Sequence, residues 1–191
     1  MKIALDPGHG GIYTGAIGTV PYELREKDVT LAICLKMKDL LKAAGHKVIL
    51  TRSSDVHLAE AMREDLRQRA GIANLAAADL LVSVHCNAFS DPNPEGIETW
   101  HRPHSAASEK LARAIQTALM VKFGNHLNRG VKAKDLLLFR HANMPACHVE
   151  TEFLTNPAQL EFLASEFNQA AIAGAIAEGV LQMAKASHSR R

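Results

Sequence analysis

Apolar positions recur along the chain in two different periods. Residues 2–5 form a short apolar run stopped by Asp6-Pro7-Gly8, the pattern of a strand entering a turn. From Asp28 the spacing lengthens. Val29, Ala32, Ile33, Met37, Leu40, Leu41 and Ala44 return at three- and four-residue steps, which predicts a helix with Gly45 placed to cap it. Lys47–Leu50 is the next strand, and Ala59, Met62, Leu66, Ala70 and Ala73 mark a second helix. Apolar runs at 80–84, at 97–100 (after the turn-rich Asp91-Pro92-Asn93-Pro94) and at 146–149 read as strands. Helical spacing returns at 105–121 and at 169–184, before a basic end from Lys185 to Arg191.

Strands alternating with helices of about ten residues or more predict an α/β fold. The expectation is a single domain with a central, mostly parallel (mixed) β-sheet flanked by helices. No repeat or linker divides the chain, and the loop-like 89–94 segment is too short to separate two domains. The domain is expected over residues 1–186, with a basic disordered tail over 187–191.

Composition narrows the classes. With 191 residues, 47% hydrophobic and 22% charged, the chain can bury a core. That excludes wholesale disorder, collagen-like repetition and a disulfide-stapled miniprotein. Twenty-two Lys and Arg against twenty Asp and Glu leave +2, so no nucleic-acid partner is expected. There is no run of about 18 apolar residues, so no membrane span is expected. The apolar opening is also too short for a signal peptide. Cys34, Cys86 and Cys147 stand far apart and read as buried thiols in a reducing compartment.

The candidate chemistry sits where apolar strands end. His9 follows the first strand, His85 ends the 80–84 run, and Glu150 ends the strand that begins near Ala146. In open α/β sheets, ligands bind outside the carboxyl ends of strands, so these groups would converge if their strands are parallel neighbours. Two imidazoles with one carboxylate are a familiar ligand set for catalytic zinc. Glu23 or Glu26, in the loop before the first long helix, would supply the carboxylate; the alternative for Glu26 is capping of that helix. His46, His57, His101, His104, His126, His141 and His188 are read as structural. No His-Glu-x-x-His pair, Cys-x-x-Cys site, phosphate-binding Gly-x-x-x-x-Gly-Lys loop or Gly-x-Ser-x-Gly elbow is present.

Asp6-Pro7-Gly8-His9-Gly10-Gly11, Gly15-Ala16-Ile17-Gly18 and Glu26-Lys27-Asp28-Val29 follow one another in order. After them come Leu50-Thr51-Arg52, Arg69 with Ala73-Asn74, Ser83-Val84-His85-Cys86-Asn87-Ala88 and Val149-Glu150-x-x-Phe153-Leu154-x-Asn156. Taken together, this series resembles the zinc-dependent N-acetylmuramoyl-L-alanine amidases of the Amidase_3 type, over nearly the whole chain. The resemblance implies hydrolysis of the amide joining N-acetylmuramic acid to L-alanine in peptidoglycan, with one zinc ion (Zn2+). His9, Glu26 and His85 would be the zinc ligands and Glu150 the catalytic acid/base. Arg52 and Arg69 would be structural, pairing with carboxylates or helix-end carbonyls. Peptidoglycan is the expected partner, with no obligatory protein partner. A protein made in the cytoplasm and reaching the wall by release or export, as a phage endolysin does, fits the expected lack of a signal peptide. Alternatives are a zinc peptidase or deacetylase acting on wall fragments, or an inactive wall-binding protein.

One position departs from the resemblance. Where the family usually has glycine two residues after the catalytic glutamate, this chain has Glu152. In a continuing strand, His148, Glu150 and Glu152 share one face. If the strand ends at Glu150, Glu152 is a solvated charge instead.

Overall fold

The computed structural model describes the backbone of residues 1–188 and the side chains of residues 1–184. Strand β1 (Lys2–Pro7) leads through a small hairpin, β2 (Ile17–Gly18) and β3 (Leu24–Arg25), into α1 (Glu26–Ala43). Then follow β4 (Lys47–Leu50), α2 (Met62–Leu75), β5 (Leu80–Asn87), β6 (Ile97–His101), α3 (Ala106–Lys122) and β7 (Asn128–Ala133). The chain continues through α4 (Leu137–His141), β8 (Ala146–Phe153), α5 (Pro157–Ala164) and α6 (Glu166–His188). Six strands form one sheet in the order β4-β1-β5-β8-β6-β7. Only β6 against β8 is antiparallel; the other pairings are parallel. The result is the single α/β domain, with a mostly parallel mixed sheet, that the alternating pattern predicts.

Side-chain alternation divides the sheet into two unlike faces. Ile3 and Leu5, Val82 and Val84, and Cys147 and Val149 enter the larger core, beneath α1, α3 and α6. Ala4, Leu81 and Ala146 point the other way, under α2 and α4. Alanines at 70, 73 and 142 keep that second layer thin. The same alternation, continued toward the carboxyl ends, places Asp6, Ser83, His85, His148 and Glu150 on this second face. These polar groups therefore begin where the smaller core stops.

Local signals set the element ends. Gly45 (φ 85°) follows α1, with its amide bonded to Lys42 O and the His46 amide to Leu41 O, a Schellman cap. The Asn156 side chain caps α5, with Pro157 in its first turn. The sequence does not predict β2, β3, β7, α4 or α5. As the outer strand, β7 carries Asn128, Arg129 and Lys132 and shows no apolar run. Helix α6 begins at Glu166 and continues through Ser187 and His188, where a tail is expected; the rest of that tail, 189–191, lies outside the described residues. Cys34, Cys86 and Cys147 are free and buried. Among the described residues no helix is long and apolar enough to cross a membrane.

Helix α6 packs on α3 through Gly179, where a Cβ would stand 2.5 Å from the Ile115 Cα. Gly174, earlier in the same helix, has nothing within 4 Å of its Cβ position. Urea unfolding should therefore separate the two alanine substitutions. Gly174→Ala should gain about 0.5–1 kcal/mol from helix propensity. Gly179→Ala should lose about 1–3 kcal/mol through overpacking. A stabilising Gly179→Ala would contradict the close approach of the two helices.

Candidate active site

Beyond β1 the chain doubles back through a loop that carries His9 at φ 63°, a left-handed conformation uncommon for a residue with a side chain. Two buried arginines grip this loop by its carbonyls. Arg69, from α2, donates to Pro7 O (2.7 Å) and His9 O (2.6 Å) and to the Asp6 carboxylate (3.1 Å), and it also pairs with Asp65. Arg52, beyond β4, donates to Pro7 O (3.0 Å), Gly8 O (2.9 Å) and Lys27 O (2.7 Å). Asp6 also accepts the Thr51 and Ser83 hydroxyls, each at 2.6 Å. Burial alone would raise the Asp6 pKa, but the Arg69 charge and the two hydroxyls outweigh it and hold the group at about 2.

Glu26 opens α1, yet its carboxylate turns away from the helix. Its Oε2 accepts from the Ala16 amide (2.8 Å) and its Oε1 from the Cys86 amide (3.0 Å). The same Oε1 stands 3.1 Å from His9 Nε2 and 2.9 Å from His85 Nδ1. One ligand atom from each of the three side chains lies within 4.8 Å of the others, a group able to hold a metal ion. Two glycines make this convergence possible. A Cβ at Gly8 would lie 2.3 Å from the His85 ring, and one at Gly15 (φ 69°) 2.5 Å from Glu26 Oε2. Burial pushes the Glu26 pKa up, but hydrogen bonds from His85 and His9 hold it well below the usual carboxylate range. Burial, reinforced by His148, lowers the His85 pKa and favours the neutral imidazole that binds metals.

Glu150 is the register partner of His85 on the adjoining strand β8. It is 6% exposed, and burial pushes its pKa up to about 8. Its Oε1 lies 2.8 Å from His148 Nε2, whereas its buried Oε2 has no hydrogen-bond partner. The His148 ring is stacked between His85 (4.1 Å, 15°) and Trp100 (4.8 Å, 9°). Trp100 Nε1 donates to Glu98 (3.0 Å), which opposes Glu150 in the β6–β8 register. A cleft of about 190 Å³ opens beside these groups, lined by His9, His85 and His148 and by the apolar Met62, Leu66 and Leu137.

The structure thus brings together His9, Glu26, His85 and Glu150. It leaves Glu23 outside, exposed and paired with Arg25 at 2.8 Å. His85 and Glu150 lie within their strands rather than at the ends, because β5 runs on to Asn87 and β8 to Phe153. Arg52 and Arg69 take the structural places expected of them, on carbonyls and carboxylates. Sequence reasoning missed the parts played by His148 and Trp100; the two-residue spacing of His148 and Glu150 was the one available signal.

Glu152 meets neither expectation. Beyond the His85–Glu150 pair, β8 carries an extra residue before Phe153 pairs with Asn87, and this bulge takes Glu152 off the Glu150 face. It is fully buried, accepting from the Gly96 amide (2.7 Å) and paired with His126 Nδ1 (2.8 Å).

The family model for N-acetylmuramoyl-L-alanine amidase (Amidase_3) matches residues 3–182. The germination-specific N-acetylmuramoyl-L-alanine amidase of Bacillus subtilis (strain 168) is 34% identical over 188 residues, covering 94% of this chain and 78% of that protein. The endolysin of Bacillus phage SPP1 is also 34% identical, over 94% of this chain and 64% of its own length. Among solved structures, the CwlD amidase from Clostridioides difficile, in complex with the GerS lipoprotein, has a TM-score of 0.91 at 33% identity. That match covers 97% of this chain and 98% of that one.

The Asp6–Arg69 pair makes a stability prediction with a defined sign. The folded-state pKa of about 2 lies below the ordinary 3.8, so the ionised carboxylate favours the fold. This contribution, about 2 kcal/mol, is complete above the ordinary value and fades as pH falls toward 2. Arg69→Met removes one partner of a buried pair and should cost about 3–5 kcal/mol at neutral pH. Urea unfolding from pH 7 to pH 3 checks both. Wild-type stability that does not fall with acid, or a silent Arg69→Met, would contradict the clamp.

Proposed function

The chain belongs to the N-acetylmuramoyl-L-alanine amidase family, and from that premise we propose that it hydrolyses, with one zinc ion, the amide between N-acetylmuramic acid and L-alanine in peptidoglycan. His9, Glu26 and His85 are the ligands in this reading and Glu150 is the acid/base. One observation carries it: a buried carboxylate with one oxygen bonded and the other unpartnered, beside two imidazoles and a second carboxylate at ligand spacing. Two ring nitrogens and a carboxylate oxygen form the donor set of a catalytic zinc that keeps a position open. When bound, zinc supplies Lewis acidity to the water and the scissile carbonyl.

This chain's own groups do the rest. Glu150 Oε2 takes a proton from the attacking water and passes it to the leaving alanine nitrogen. Glu150, raised to about 8 by burial, would be drawn toward the base form at neutral pH by a cation held at the neighbouring cluster. His148 Nε2 occupies Oε1, so Oε2 is the oxygen left for this work. The rings of His85 and Trp100 hold His148 in place. The amides of Ala16 and Cys86 orient Glu26, and Arg69 fixes the backbone of His9. Similarity to a germination-specific amidase and to an endolysin supports action on the cell wall, in remodelling or in lysis.

Mass spectrometry of digested peptidoglycan tests the bond. Stem peptides beginning with L-alanine, with glycan strands intact, are expected. Fragments cut within the peptide would favour a peptidase, and no release from zinc-bearing protein would favour a binding role. Glu150→Gln should lower turnover by about a hundredfold or more while zinc stays bound. His9→Ala should lose the metal by elemental analysis. Normal turnover in the first variant, or full zinc in the second, would overturn the assignment concerned.

His148 is tested by a pair of variants. His148→Leu removes the hydrogen bond to Glu150 and should lower kcat by about tenfold, with KM and zinc content held. His148→Gln places an amide near the Nε2 position and should recover part of that loss. Equal defects in both would mean that His148 serves packing alone.

A further inference from the structure

The sheet face that bears Glu150 continues onto β6 and β7. Glu98 opposes Glu150, Trp100 opposes His148, and Lys132 opposes Trp100. The buried Glu98 carboxylate is met by two cations, Arg129 (3.3 Å) and Lys132, so this stretch of the face already holds more positive charge than negative. Lys134, immediately beyond β7, adds to it. Its backbone amide is tied to His101 O (3.0 Å), and its Nζ lies 3.2 Å from the centroid of the Trp100 ring.

No carboxylate pairs with Lys134 among the described residues; its neighbour Asp135 is engaged by Arg140 at 2.6 Å. Behind burial, which dominates at both groups, the Lys134 charge is among those felt at Glu150 and His148. An exposed lysine with no carboxylate partner is ordinarily a solvated surface charge. This one is held instead on an aromatic face, at the end of a ring stack that begins at His85.

An ammonium so placed gains most from an incoming anion, through a charge-assisted hydrogen bond. Ring spacings of 4.1 and 4.8 Å, then 3.2 Å to Nζ, keep it close to the reacting end of the site. The three spacings bound its distance from the centre of the His85 ring at about 12 Å. Two residues of extended chain at about 3.3–3.6 Å each, with a charge-assisted hydrogen bond of about 2.8 Å, cover most of that span from a bond held at the His9–Glu26–His85 cluster. The leaving peptide in the reaction proposed above begins with L-alanine, and the next residue of a stem peptide is D-glutamate, whose α-carboxylate is free unless it is amidated.

Resting on the amidase reading, we propose that Lys134, seated on Trp100, is a carboxylate subsite for the second residue of the stem peptide. The protein accordingly selects stem peptides with D-glutamate over those with D-isoglutamine.

The test uses two soluble muropeptides that differ only in this carboxylate or amide, with the zinc-loaded protein. Wild type should prefer the acid by about fivefold in kcat/KM, expressed in KM. Lys134→Met should bring that ratio close to one, and Lys134→Arg should keep it. Equal cleavage of the two substrates by wild type, or an unaltered preference in Lys134→Met, overturns the subsite and leaves the amidase reading standing. Cleavage of neither substrate overturns the amidase reading, and the subsite falls with it.

Discussion

The arrangement of the site depends on how a buried guanidinium is satisfied. Arg69 reaches from α2 across the end of β1 and binds Asp6, Asp65 and two loop carbonyls with one planar group. A buried cation needs such complete pairing, because desolvation cancels much of what a single ion pair gains. Its geometry in turn dictates the chain path. The carbonyls of Pro7 and His9 both face α2, and the backbone that presents them carries His9 in the left-handed region. The direction of the His9 ring follows from a bond that the ring itself does not make. Arg52, just beyond β4, repeats the device on the carbonyls of Pro7, Gly8 and Lys27, which ties the start of α1 to the same loop.

The second constraint is the two-residue period of the strands. One face of the sheet must be apolar where α2 and α4 cover it and polar where they stop. The chain makes that change within single strands: Ala4 gives way to Asp6, Leu81 to Ser83 and His85, and Ala146 to His148 and Glu150. The opposite face stays mainly apolar and anchors the strands to α1, α3 and α6. His85, His148 and Glu150 therefore stand on strands fixed by a core they do not enter, which suits a site that has to keep its geometry.

Much of this was readable in the sequence because it is local. The long apolar runs, the helical periods, Gly45 as a cap and the glycines around His9 each act within a few residues. What was not readable depends on partners far away in the chain. Spacing alone leaves Glu23 and Glu26 open, and only the Glu26-Lys27-Asp28-Val29 motif favours Glu26; the physical reason, the Cys86 amide and the His85 ring, lies about sixty residues downstream. Trp100 and His148 become one stack only because β6 runs antiparallel to β8, and no local pattern encodes that pairing. Strand β7 is polar because it lies at the sheet edge, so it lacks the very signal by which strands are found. Glu152 is hidden for a related reason: a bulge in β8 moves it to His126, and period counting assumes that no bulge is there.

Glu26 and Glu150 show why burial alone does not decide what a carboxylate does. They are almost equally hidden, at 4% and 6% exposure, and lie around the same imidazole. Burial raises the pKa of both. For Glu26, two imidazoles and two backbone amides direct donors at the carboxylate, and the charged form wins decisively. For Glu150 one imidazole serves one oxygen, the other oxygen has no partner, and the protonated form becomes accessible at about 8. The difference lies in the number of donors supplied, which the backbone around residues 16 and 86 provides to one carboxylate and not to the other. A permanently charged group suits a metal ligand, whereas a group balanced near neutrality suits a proton carrier. Their hydrogen bonds thus already set the two glutamates apart, one held charged and the other balanced near neutrality.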